Sequence, residues 1–235
     1  MSGAALALLA FGALGLARVV YTELLSRDAR TTRALADRPR TSIRDGADGI
    51  VRVTGRARRR GELLKAPLSG RPCIAFHLLV EHHGGEGWGK LLELRDVRPF
   101  VIADETGEAL VDTAAGPFHL ALNSDERGGT GLFDRIGATQ RQALMSVGAF
   151  ESPGRTGGKR RYREGILREG ETVAVGGRGV REVSGEATSV NPREPPQWLV
   201  LRGTADEPLL ISDSLDAIAP EASRLARRSD PAEAD

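Results

Sequence analysis

A thiol and an imidazole four residues apart, Cys73 and His77, come nearest in this chain to a nucleophile and its base. On a strand that spacing puts both on one face but about 13 Å apart, so they do not form the pair as they stand. The single cysteine therefore reads as a buried structural thiol, because free cysteine is among the most buried residue types. His82 and His83 fall on opposite faces if the strand continues; a metal site there needs further ligands, and a wet strand end is the simpler role. Asp104 is an isolated acid suited to capping a hairpin, and His119 has no ligand near it in sequence. Gly154-Arg-Thr-Gly-Gly-Lys159 lacks both the spacing of a phosphate-binding loop and the Ser or Thr that follows its lysine. No constellation supports catalysis, so no catalytic, cofactor-binding or metal residue is assigned.

What remains is recognition. Asn123 to Arg161 reads as an insertion carrying Arg155, Lys159, Arg160 and Arg161 with Phe133 and Phe150. Long loops on a rigid sheet are where binding residues concentrate, although an unselected insertion accounts for the stretch equally well. A second basic cluster is Arg56, Arg58, Arg59 and Arg60. Beside an anionic leaflet each such residue contributes on the order of 1 kcal/mol, whereas a solvated hairpin turn is the plainer reading.

The elements that must position these residues begin with a greasy leader. Residues 1–17 carry no charged side chain, and the apolar run continues past Arg18 to Leu25. About 20 residues at 1.5 Å each cross the hydrocarbon core, with Arg18 snorkelling to the interface and Tyr21 at headgroup level. A cleaved signal peptide fits less well, since no basic residue precedes the apolar core. The reading is thus a single-pass anchor at 1–25, a polar stalk at 26–47, a β domain at 48–215 interrupted by the insertion 123–161, and a disordered tail at 216–235. Arg18, Arg27, Arg30, Arg33, Arg38, Arg40 and Arg44 outnumber the acids after the leader, which places the body on the cytoplasmic face of a cell membrane.

Within the body, Pro67, Gly70 and Pro72 turn the chain into its best strand, where Ile74, Phe76, Leu78 and Val80 alternate with Cys73, Ala75, His77 and Leu79. Both faces are largely apolar, so this strand is expected to be central. Ile50 to Arg58 reads as an outer strand. Val97 to Ala103 and Glu108 to Asp112 form a hairpin in which Gly107 supplies the positive φ. Further strands are expected at 118–122, 162–167, 172–176, 198–202 and 209–211, with a helix over 133–147. The prediction is a mainly β fold with a minor α component: a transmembrane helix, then a compact antiparallel sheet or small barrel of OB or SH3-like kind.

Four pieces stand in order: Ile50-Val-Arg-Val-Thr-Gly55, Ala66-Pro-Leu-Ser-Gly-Arg-Pro-Cys73, Phe100 to Val111 and Tyr162 to Gly177. Behind an apolar leader this series resembles the GIDE, or BAM ("beside a membrane"), domain of RING-type ubiquitin ligases in mitochondria and chloroplasts and of bacterial proteins. The resemblance spans about residues 48–215 and implies a β domain lying beside a bilayer. In those ligases the equivalent domain faces the intermembrane space, which opposes the charge argument for the cytoplasmic face. Their RING needs about eight Cys and His ligands; this chain has one cysteine and four histidines, so ubiquitin transfer is not carried over. The function expected is a membrane-anchored, non-catalytic module that binds a protein partner or lipid headgroups. The alternatives are a component of a RING-type ligase-like pathway whose transfer chemistry another subunit supplies, and a secreted binding domain.

Composition narrows the classes further. A formal net charge of +1 provides no global field to gather nucleic acid. Only Lys65, Lys90 and Lys159 among the 33 basic residues are lysines, the bias of a high-GC bacterial genome. A lone cysteine excludes an internal disulfide framework.

Overall fold

The computed structural model describes residues 27–46, 49–84, 87–129, 142, 144–146, 159–183 and 197–222. Five strands close a small barrel: β1 (Gly49–Arg59), β6 (Phe100–Asp104), β7 (Gly107–Asp112), β12 (Gln197–Arg202) and β11 (Thr172–Val183), the last returning to β1. Closure depends on the length of β1. Its first part pairs with β11 and its last part with β6, and Arg56 is opposite both Thr172 and Ala103. The crowding at this handover explains Gly55, where a Cβ would lie 2.3 Å from the carbonyl oxygen of Ala103.

Alternation along the barrel strands fills the interior. Val51, Val53 and Ala57 of β1 meet Phe100, Ile102, Val111, Val173, Val175, Leu199 and Leu201. The sheet is not wholly antiparallel, contrary to expectation. β7 runs parallel to β12, and β13 (Leu209–Ser212), which extends the wall from β11, runs parallel to β8 (Phe118–Ala121). Long intervening segments make parallel pairing sterically available.

The expected central strand is central in a second sheet, outside the barrel. There β4 (Ala75–Gly84) lies between β5 (Gly87–Val97) and β10 (Arg160–Leu167), and β9 (Glu126–Gly129) flanks β10. One face packs Leu78, Val80 and Tyr162 against Leu68 and Leu144. A two-residue ladder, β2 (Leu64–Lys65) with β3 (Pro72–Cys73), closes the Pro-Gly turn, in which Gly70 has φ 68°. Cys73 is fully buried there, as its type predicts.

Four expectations are corrected. The tail expected from residue 216 does not begin there, because Leu215–Ile218 is helical and Ala217 is fully buried. Ile50 to Arg58 is a doubly paired barrel strand rather than an outer one, because its outward residues Arg52 and Thr54 are covered and buried. The Asp104–Gly107 turn does not use a positive φ at Gly107. Instead Asp104 Oδ1 accepts the amides of Thr106 (2.7 Å) and Gly107 (3.1 Å) and the Thr106 hydroxyl (2.6 Å). Residues 27–46 are no stalk: α1 (Arg27–Ala36) packs across β8, β13 and β11 and beside α2 (Leu215–Ile218), with Leu35 fully buried. The leader at 1–25 and most of the helix expected over 133–147 lie outside the described residues. Among the described residues no helix is long and apolar enough to cross a membrane.

Candidate functional site

The second face of the four-stranded sheet carries a cluster of charged side chains beside α1. β4 and β5 pair His77 with Arg95 and Leu79 with Glu93, so all four project to the side on which α1 begins. His77 Nε2 lies 3.1 Å from Glu93 Oε1, and its Nδ1 lies 3.7 Å from Asp28 Oδ2 on α1. Arg95 closes the cluster, donating to Asp28 Oδ1 (2.9 Å), to Glu93 Oε1 (2.5 Å) and to the carbonyl of Leu120 on β8 (2.6 Å). Lys90 Nζ adds 2.8 Å to Glu93 Oε2. Helix, sheet and barrel extension therefore meet at one guanidinium.

Electrostatics here favour fixed charges rather than a mobile proton. Burial drives His77 below its usual range, and Arg95 pushes the same way against the raising pull of Asp28 and Glu93. Burial would raise Glu93, but hydrogen bonds and charge from Lys90 and Arg95 win and hold it at about 2. A base needs a partner to deprotonate. Among the described residues the polar contacts of His77 are both with carboxylates, and Cys73 is turned to the Leu64 carbonyl at 3.8 Å. Burial and the nearby Glu164 and Asp96 raise that thiol to about 11, the reverse of an activated nucleophile. No group of three or more potential ligands among the described residues is arranged to hold a metal ion.

The far end of the same sheet is a surface of another kind. Trp88, 40% exposed, stands edge-on to His83 with ring centres 5.3 Å apart, and Arg161 lies 4.4 Å above its ring. Arg161 is also held by Glu81 through two contacts of 2.6 and 3.2 Å. Lys159 gives its carbonyl to the amide of His83, and Arg160 begins β10.

The basic residues singled out in sequence are thus scattered. Arg161 reaches Trp88, with Lys159 and Arg160 beside it in the chain. Arg56, Arg58 and Arg59 stand at the end of β1, where Arg58 pairs with Glu108, Arg59 with Glu169 at 3.6 Å, and Arg56 with the Gly170 carbonyl at 3.1 Å. Arg60 follows the strand and is exposed. Two of the four β1 arginines, Arg58 and Arg59, are thus paired with acids brought in from β7 and the β10–β11 turn. Arg18, Phe133 and Arg155 lie outside the described residues.

Sequence reading missed Asp28, Glu93 and Arg95. Their signal was faint: a histidine inside an apolar strand, opposite a return strand that alternates Leu92 and Leu94 with Glu93 and Arg95. Also missed was the outward face of α1, since Arg27, Arg30 and Arg33 were counted only for membrane orientation. No family model, curated protein or solved structure matches this chain.

Proposed function

We propose that this chain is a membrane-tethered, non-catalytic interaction module of the GIDE kind, its body held against the cytoplasmic face of a bilayer by the leader at 1–25. The carrying observation is the absence of slack. The apolar run ends at Leu25 in sequence, and the chain is fixed to the body from Asp28 onward, by Asp28–Arg95 at 2.9 Å and, just past the last turn of α1, by Arg38–Glu207 at 2.9 Å. A leader that spans the membrane would bring the body to the headgroups with only residues 26 and 27 between them.

Two features support the reading. The four pieces that carry the resemblance are neighbours: β1 pairs with the third and fourth, and Glu164 of the fourth accepts the Leu68 and Ser69 amides of the second at 2.6 and 3.0 Å. A closed five-stranded barrel with one parallel pair also suits the OB option better than the SH3-like one, and OB barrels are binding scaffolds. The test is fractionation of the full-length chain. It should sediment with membranes and resist extraction at high pH. Recovery in the soluble fraction with residues 1–25 intact would sink the proposal.

A further inference from the structure

We infer that the outward face of α1, formed by Arg27, Arg30 and Arg33, is the surface that rests on anionic phospholipid headgroups; this builds on the tether proposed above. The three are spaced by three residues, so they form a row about 9 Å long and a face about 120° wide. All three are exposed, while Thr31 and Leu35 on the opposite face are buried.

What separates this row from Arg58 and Arg59 is that its three charges share one helix face and no acid among the described residues cancels them. Arg58 and Arg59, the stronger candidates in sequence, are paired with acids. Among the described residues Arg27, Arg30 and Arg33 enter no ion pair. The one acid within their helix, Asp28, is turned inward and engaged by Arg95 and His77, and Asp37 lies beyond the last turn. Their field is felt on β8, where burial lowers His119 and Arg27, Arg95 and Arg30 lower it further. The row also follows the leader immediately, so a leader in the bilayer would deliver it to the headgroup layer. An uncancelled basic face is suited to lying on a charged surface.

The experiment uses the full chain in vesicles of phosphatidylcholine, with and without phosphatidylglycerol. Flotation is measured first, and then the rate of phenylglyoxal modification at each arginine by mass spectrometry. At low salt, labelling of Arg27, Arg30 and Arg33 should fall about tenfold in the anionic vesicles, with each arginine contributing about fivefold to docking. High salt should restore it, and exposed Arg178 on the barrel should label equally throughout. Equal rates for the row in both vesicles overturn the docking and leave the tether standing. Failure to float with either vesicle overturns the tether and the docking with it. Protection that needs an added membrane protein rather than anionic lipid assigns the row to a protein partner and also overturns the inference.

Discussion

Glu164 has no solvent exposure, yet among the described residues its carboxylate is paired with no cation; both oxygens accept backbone amides, from Leu68 and Ser69. A buried acid is tolerated when its lone pairs are met by donors, and here the donors belong to a turn whose prolines and glycine fix its shape before it docks. Glu164→Ala would leave two amides unsatisfied in the interior, each worth about 1–3 kcal/mol. Urea unfolding should therefore show a loss of roughly 2–5 kcal/mol, and Glu164→Gln, which keeps one acceptor, should lose less. No loss in Glu164→Gln beside a full loss in Glu164→Ala would mean that side-chain volume, not capture of both amides, is what the turn needs. Part of this was legible: in Tyr162-Arg-Glu-Gly-Ile166 the alternation puts Glu164 on the same face as Tyr162 and Ile166, which marks it as buried. Its partner was not legible, because nothing local in a strand names a turn 95 residues away. The same holds for His77, whose neighbours Asp28 and Glu93 come from a helix and a strand far apart in the chain.

At the scale of elements, β1 shows why alternation gives faces but not surroundings. Val51 and Val53 point inward as read, and the other side looked like solvent because it carries Arg52 and Thr54. Instead two helices cover that side, and Arg52, 3% exposed, donates to the carbonyls of Arg38 (3.0 Å), Ala217 (2.5 Å) and Ile218 (3.1 Å). Burial lowers its pKa, and Arg40 adds to the effect. No carboxylate is needed, since the carbonyl groups at the end of a helix carry partial negative charge. α2 is only four residues long and cannot hold itself together, so its place depends on the body, through this guanidinium and the packing of Ala217. Arg52→Met, which keeps the unbranched apolar stem but has no donors, should speed amide exchange over residues 215–222 by at least tenfold and cost about 2–4 kcal/mol. Unchanged exchange there would show that α2 is held by Ala217 and Ile218 packing on Leu35 and Ala174.

For the whole molecule, acid dependence follows from groups whose contributions oppose one another. Glu93 is held at about 2 in the fold; its contribution is complete above the ordinary carboxylate range and is lost as pH falls toward 2. His77 is also lowered, so its share is present above pH ~6.5 and is lost as pH falls through its depressed value. Asp213 works in the other direction. It follows β13, beside Asn123, whose amide it accepts at 2.7 Å, and near Asp125, whose carboxylate takes the Ile166 amide at 2.9 Å. The barrel extension and the four-stranded sheet are therefore joined where acids crowd. Burial raises Asp213 to about 6, with Asp125 and Glu171 adding to the rise against the amide hydrogen bonds. A carboxyl that keeps its proton longer when folded stabilises the protein at low pH, and that advantage is lost as pH rises from about 4 to about 6. Asp213→Asn keeps an acceptor for the Asn123 amide but removes the charge. It should gain roughly 1–3 kcal/mol at pH 7 and nothing at pH ~4, where Asp213 in the fold is already neutral. Thermal unfolding across that range measures the difference directly; a gain that does not change with pH would place its origin in packing rather than in the ionisation of Asp213.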